Sequence, residues 1–198
     1  AFVAGPLTGL ALPRLGSMRV LWMALMMSGV TLAAYLISRD GPAPLWIAAL
    51  AGLGFAIGAA MTAASSAIML SAPEDRAGMA ASVEEVSYEL GGALGVALLG
   101  SLMTAIYTRM LVLPDSIAIG PQAHDSLDEA LILAEALPPD AAAQVAALAR
   151  NAFDDAFIGV VLVAVLMQIA VALVIWWQAR KTQRAEVQPG AVVSSAAR

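Results

Sequence analysis

An all-α, polytopic transmembrane bundle is the fold class this sequence predicts, and three observations carry the prediction. Of its 198 residues, 61% are hydrophobic and only 13% are charged, against about 25% charged in soluble domains. The mean hydropathy is +0.83. Apolar runs close to the ~20 residues that cross a bilayer recur along the chain, separated by short clusters of Gly, Pro and charge.

The same composition excludes several function classes. No basic patch is present, so nucleic acid is not an expected partner. Cysteine is absent, which removes thiol and zinc-thiolate chemistry. No phosphate-binding glycine loop, zinc-protease helix or nucleophile elbow occurs, so no enzyme, metal or cofactor is expected. The formal net charge of −5 does not imply an acidic partner, because the charges sort by loop.

Taken in order, residues 1–107 are predicted to hold the end of one span and three transmembrane helices. The chain opens at Ala1 inside an apolar segment, with no basic stretch ahead of it, so AFVAGPLTGLAL is expected to end a helix begun upstream. The chain is accordingly expected to be the C-terminal piece of a larger protein. Pro13, Arg14, Gly16 and Arg19 mark a polar turn, and residues 20–38 a span. Arg39, Asp40, Gly41, Pro42 and Pro44 mark the next turn. The span 45–70 is rich in small residues, and Gly54 and Gly58, four apart, are expected to let a neighbouring backbone approach. Pro73 suits a first helical turn, with Glu74 and Asp75 complementing the N-terminal end of a helix over 74–107. That helix outruns the ~30 Å hydrocarbon layer at ~1.5 Å per residue, so it must protrude, tilt or bend. Gly91, Gly92 and Gly95 are the expected place for helix packing or a bend.

Residues 108–153 carry six acids, Asp115 to Asp140, and four prolines, and are not a span. DSLDEALILAEAL is amphipathic, with Leu127, Leu131, Ala134 and Leu137 on one face; DAAAQVAALARNAF follows the Pro138–Pro139 break. A helical hairpin on the membrane surface is expected there. Residues 154–179 form the last span, with Asp154 and Asp155 read as N-terminal charges, and 180–198 a cytoplasmic disordered tail. Arg14, Arg19, Arg76, Arg180, Lys181 and Arg184 fall on one side, which marks it as cytoplasmic. The hairpin is then extracytoplasmic and the C-terminus cytoplasmic, in an inner (plasma) membrane. Trp46, Trp176 and Trp177 stand where interfacial anchors do.

Glu84, Glu85 and Glu89 interrupt an otherwise apolar helix. A carboxylate in hydrocarbon costs about 2.5–3.5 kcal/mol on insertion scales, so such groups face protein, water or a ligand and mark proton or cation sites. Counting from Gly78 at ~1.5 Å per residue, Glu85 lies roughly 10 Å and Glu89 roughly 16 Å into the layer. Glu85 and Glu89 share a face, and Glu84 and Tyr88 make a second pair beside it. Carboxylates in low dielectric exchange protons near neutral pH and accept a cation in the proton's place. Tyr88 offers an aromatic face to an organic cation or a hydroxyl to orient a carboxylate. The plainer reading for Glu84, and to a lesser degree Glu85, is contact with headgroups or water at the cytoplasmic end. His124 is read as a solvated loop residue, and the methionines at 23, 26 and 27 as lipid-facing or core filler.

The run SAPEDRAGMAASVEEVSYELGGALGVALLGSLMTAIY resembles the thirteenth span, with its preceding loop, of fourteen-spanner drug/proton antiporters of the major facilitator superfamily, of the quaternary-ammonium and methyl viologen resistance type. NAFDDAFIGVVLVA resembles the start of their final span, and GPLTGLALPRLGSMRV their turn between spans ten and eleven, although Pro13–Arg14 stands where comparable turns often carry an acid before the Arg. The resemblance implies the C-terminal part of a major facilitator fold. It implies proton-coupled export of lipophilic mono- and dications, with Glu84, Glu85 and Glu89 at the family's acidic positions and Glu85 and Glu89 as the pair shared by substrate and proton. Its implied partners are an organic cation, protons, the lipid bilayer and the transporter's own upstream spans. Two alternatives stay open: a non-transporting membrane sensor or assembly protein whose glutamates pack polar helices, and a transporter of a cationic metabolite.

Overall fold

The computed structural model describes residues 3–114, 116–117 and 119–186; the expected tail over 187–198 lies outside them. They form six α-helices: α1 (Ala4–Leu15), α2 (Ser17–Ser38), α3 (Ala43–Ser71), α4 (Ala77–Met110), α5 (Leu127–Ala134) and α6 (Pro139–Glu186). Short 3₁₀ turns over Glu74–Arg76 and Pro121–His124 precede α4 and α5. No strand occurs among the described residues. Four helical stretches are long and apolar enough to cross a membrane: Ser17–Ser38, Ala43–Ser71, Glu74–Met110 and Pro139–Lys181.

The chain divides into two compact units, one made of the residues up to Val86 together with those from Val165 onward, the other of Ser87–Ala164. In the first, α1, α2 and α3 pack on one another. Their buried positions are small: Val20, Ala24, Ser28 and Gly29 on α2, and Ala49, Ala56, Ala59 and Ala63 on α3. Spacings of three, four and seven put each set on one helical face, and small side chains let backbones approach without any hydrophobic drive between helices in lipid. The second half of α6 lies against α2, where a Cβ at Gly29 would sit 3.2 Å from Ile169 Cγ1.

The close approach of α2 and α3 falls at Gly52, not at Gly54. A Cβ on Gly52 would stand 2.9 Å from Thr31 Cγ2, whereas Gly54 has nothing within 4 Å. Thr31 has little freedom to yield, because its hydroxyl donates to Met27 O at 2.8 Å and to Ser28 O at 3.1 Å. Gly52→Ala is therefore expected to destabilise the protein by about 1–3 kcal/mol through overpacking. Gly54→Ala, made on an open face, is expected to be neutral or to stabilise by up to about 1 kcal/mol. Thermal unfolding of the two variants in the same detergent checks this; equal midpoints would refute it.

Several boundaries differ from expectation. α1 runs on through Pro13 to Leu15 and stops at Gly16, whose φ of +80° is a conformation glycine adopts without strain. Pro73 precedes the 3₁₀ turn instead of opening a long helix, and α4 begins at Ala77. The largest difference is α6. The second hairpin helix and the last span are one uninterrupted helix of 48 residues, about 72 Å at ~1.5 Å per residue. Pro139 opens it, no later proline breaks it, and the alanine-rich stretch 141–149 has the highest helix propensity available. Asp154 and Asp155 thus lie in mid-helix, exposed, and do not cap a span. At the far end the helix continues past the expected start of the tail at 180 to Glu186. There Arg180 lies 3.8 Å from the centroid of a Trp176 ring and Lys181 3.4 Å from one of Trp177, two four-residue cation–π pairs of the kind that anchor a span at an interface.

In the unit Ser87–Ala164 the core is a cluster of Tyr107, Leu111, Ala123, Ala130, Ala149, Ala152 and Ala156. On α6, Val145, Ala149, Ala152 and Ala156 recur every three or four residues and are buried, which makes a single stripe. α5 is capped by Ser126, whose Oγ accepts the Glu129 N–H at 3.2 Å, half of a Ser-x-x-Glu capping box. Its buried face carries Ala130 and Ala134, with Leu127 and Leu131 half-buried beside them.

Candidate functional site

α4 carries all three glutamates, and it is the least covered of the four long apolar helices. Only 6% of its most apolar window is buried by the rest of the described chain, against 17–22% for the other three. Leu90, Leu94, Val96 and Leu98 are all more than half exposed, and they point to several sides of the helix. Around the glutamates the described chain gives this helix little cover. Its helical propensity and the intrahelical bonds that any span must make hold the segment helical.

The helix places the candidate residues as follows. Glu85 and Glu89, one helical turn apart, are both exposed. Tyr88 is 61% exposed. Glu84, for which contact with headgroups or water was the plainer expectation, is instead the one partly covered. None of the four side chains makes a hydrogen bond or salt bridge among the described residues; the ion pairs there are Arg39–Asp40 at 3.5 Å and Asp75–Arg76 at 3.9 Å, both between sequence neighbours. No arginine or lysine of the described chain neutralises the glutamates.

Beyond Glu89 the helix surface drops. Gly91 and Gly92 are exposed and Gly95 is half-exposed, and among the described residues no neighbour lies within 4 Å of a Cβ built on any of them. With Tyr88, Glu89, Val96 and Ala97, Gly91 and Gly92 border an open groove along α4. The helix is unbroken across the three glycines. A carboxylate, a phenol ring and a floor of bare backbone thus line one groove. Chemically that combination suits a flat or rounded cation with apolar flanks: the carboxylate supplies the opposite charge, the ring a π-face, and the missing side chains the room.

One polar residue escaped the sequence reading. Gln168, on α6, has its Oε1 buried without a hydrogen-bond partner among the described residues. It lies between the apolar runs VVLVAVLM and IAVALVI, and an amide so placed is itself a legible signal. No group of three or more His, Asp or Glu arranged to hold a metal ion occurs among the described residues.

Compared with characterised proteins, the chain is 31% identical over 185 residues to the methyl viologen resistance protein SmvA of two Salmonella typhimurium strains, a match covering 91% of this chain and 37% of the relative. It is 32% identical over 133 residues to the multidrug efflux pump LfrA of Mycolicibacterium smegmatis, covering 65% of this chain and 26% of the relative. The chain therefore spans little more than a third of the length of the curated relatives it matches. No family model matches it, and no solved structure does.

Proposed function

The chain is a relative of the multidrug-efflux proteins of the major facilitator superfamily, and on that premise we propose that it forms the C-terminal part of a proton-coupled exporter of lipophilic organic mono- and dications, such as quaternary ammonium compounds and viologens. It is an integral membrane protein. In this reading the C-terminus lies in the cytoplasm and the segment 111–138 on the opposite side, as the distribution of basic residues favours.

The observation that carries the proposal is the pair Glu85 and Glu89, both exposed and four residues apart on a helix of which only 6% of the most apolar window is buried among the described residues. Carboxylates at that depth are tolerated only where polypeptide, water or a ligand meets them. In the complete transporter that cover is the translocation path, between this helix and the upstream spans. Alternating access at such a site needs both halves of a pseudo-symmetric bundle. The exporter is thus expected to work only as the longer protein.

In this mechanism an organic cation entering from the cytoplasm finds Glu85 and Glu89 and releases the protons they hold. A change to the outward-open form lets protons from outside displace the cation. Tyr88 binds the apolar flank of the cation through its ring.

The test is transport by the full-length protein in inside-out vesicles. Ethidium as a monocation and methyl viologen as a dication are expected to accumulate when a proton gradient is imposed, and to leak back when it is collapsed. Accumulation that persists without the gradient would refute proton coupling. No accumulation of either cation would refute the substrate class and favour a non-transporting role.

A further inference from the structure

We propose that Tyr107 and Thr108 are positioning residues that latch the segment 111–138 to the end of the glutamate helix, so that this insert and the adjoining parts of α4 and α6 travel as one rigid body and the insert does not open as a lid. The inference takes the transport reading above as its premise only where it speaks of a transport cycle.

Three independent features of the unit Ser87–Ala164 lead to it. The first is polar. The Tyr107 ring is 2% exposed, and its hydroxyl lies 3.2 Å from the carbonyl oxygens of both Ala123 and Ser126, sharing one proton between them. The next residue repeats the pattern: Thr108 Oγ1 lies 2.9 Å from His124 O and 2.9 Å from Thr104 O. Two successive side chains of α4 thus hold the backbone of the 3₁₀ turn and the cap of α5. Of these, Ala123 O is buried and loses the Tyr107 donor if the insert lifts, which is costly away from water; Ser126 O also accepts the Ala130 N–H at 3.1 Å, and the Thr108 bonds lie at the exposed rim.

The second feature is apolar. The cluster draws on α4 through Tyr107 itself, on Leu111 just beyond that helix, on the 3₁₀ turn through Ala123, on α5 through Ala130, and on α6 through Ala149, Ala152 and Ala156. It is one shared core, and a lid would need a boundary that few contacts cross. The third is covalent. The insert enters α6 at Pro138–Pro139, where two fixed φ angles limit swing, and α6 then runs without a break into the span. Farther along, Gly159 lets Ile106 of α4 approach, with Ile106 Cδ1 2.9 Å from where a Cβ would be. Together these tie the described part of the insert to both α4 and α6.

A rigid arm and a lid respond oppositely to a cross-link. In the full-length protein, in a cysteine-free background, Thr108→Cys and His124→Cys are joined by a short bifunctional thiol reagent. With a rigid arm, cation efflux after bridging stays within about twofold of the unbridged double variant, because no motion has been blocked. Loss of efflux on bridging, restored when a cleavable linker is cut, would overturn the proposal. A second readout needs no transport. In hydrogen exchange of the full-length protein, amides of 122–134 are expected to be protected like those of 100–110. Tyr107→Phe is expected to speed exchange in 122–134 by about tenfold, with α2 and α3 unchanged. Insert amides that exchange fast in the unmodified protein would overturn the latch even if efflux proves robust. An absence of cation transport in the unbridged protein would strike the functional reading alone and leave the latch to be decided by exchange.

Discussion

Glu89→Gln is expected to reduce gradient-driven accumulation of methyl viologen by roughly a hundredfold or more. The estimate follows from charge. Removing one partner of a desolvated ion pair costs about 3–5 kcal/mol, which is roughly a hundredfold to several thousandfold in a binding or rate constant. Glutamine keeps the size of the side chain and its place beside the groove formed by Tyr88, Gly91 and Gly92. It removes only the charge and the exchangeable proton, so the loss reports chemistry and not packing. Position sets the order of effects. In the proposed orientation Glu89 is the deepest of the three by helical rise, and interactions between charges strengthen as the local dielectric falls. Glu85→Gln should fall next, and Glu84→Gln should have the smallest effect. A dication draws on two carboxylates at once, so methyl viologen should suffer more than ethidium in both Glu85→Gln and Glu89→Gln. Response to the proton gradient should decline in parallel with transport. Unchanged accumulation and unchanged gradient dependence in both variants would remove these residues from the site.

The sequence makes the spans and the anomaly within them legible for a physical reason. Span length is imposed by the bilayer, and glutamate in hydrocarbon is rare enough to stand out without any neighbour being known. The helices α2, α3 and α4 accordingly fall where their apolar runs do, within a few residues. What sequence leaves hidden are relations between elements. Gly52 and Gly54 look alike in a string of small residues, and only the partner helix, through Thr31, decides which of them is indispensable. The continuity of α6 escapes because Asp154 and Asp155 look like the start of a helix, and acids at the first turn are common. In the structure they sit exposed on a helix whose buried stripe runs past them through Ala149, Ala152 and Ala156. The same limit applies to Tyr107. Read along the chain it is an aromatic near the end of a span, where interfacial tyrosines are frequent. Its near-complete burial depends on carbonyls 16 and 19 residues away.

Tyr107→Ala is expected to be among the most destabilising single changes available in the unit Ser87–Ala164, costing about 3–5 kcal/mol as buried aromatic truncations do. The magnitude follows from what surrounds the ring. Ala123, Ala130, Ala149, Ala152 and Ala156 have no side-chain atoms beyond Cβ with which to fill the space, and three of the four elements that carry these residues and Tyr107 are helices that cannot move in independently. Only the larger side chains at the edge of the cluster, such as Leu111 and Met103, can lean into the space, and cost rises with the cavity volume that remains. The carbonyl of Ala123, which is fully buried, loses its donor in the same step, while Ser126 O keeps the Ala130 N–H at 3.1 Å. Tyr107→Phe separates these terms: it keeps the packing and drops the hydroxyl, for about 1–1.5 kcal/mol. Thermal unfolding of the purified full-length protein should rank wild type above Tyr107→Phe and Tyr107→Phe well above Tyr107→Ala. Hydrogen exchange should confine the loss in both variants to 87–164. A Tyr107→Ala protein that unfolds with the wild-type midpoint would mean that the ring is not the keystone of this core. Faster exchange spread equally over α2 and α3 would mean that the change acts on the protein at large and not through the insert.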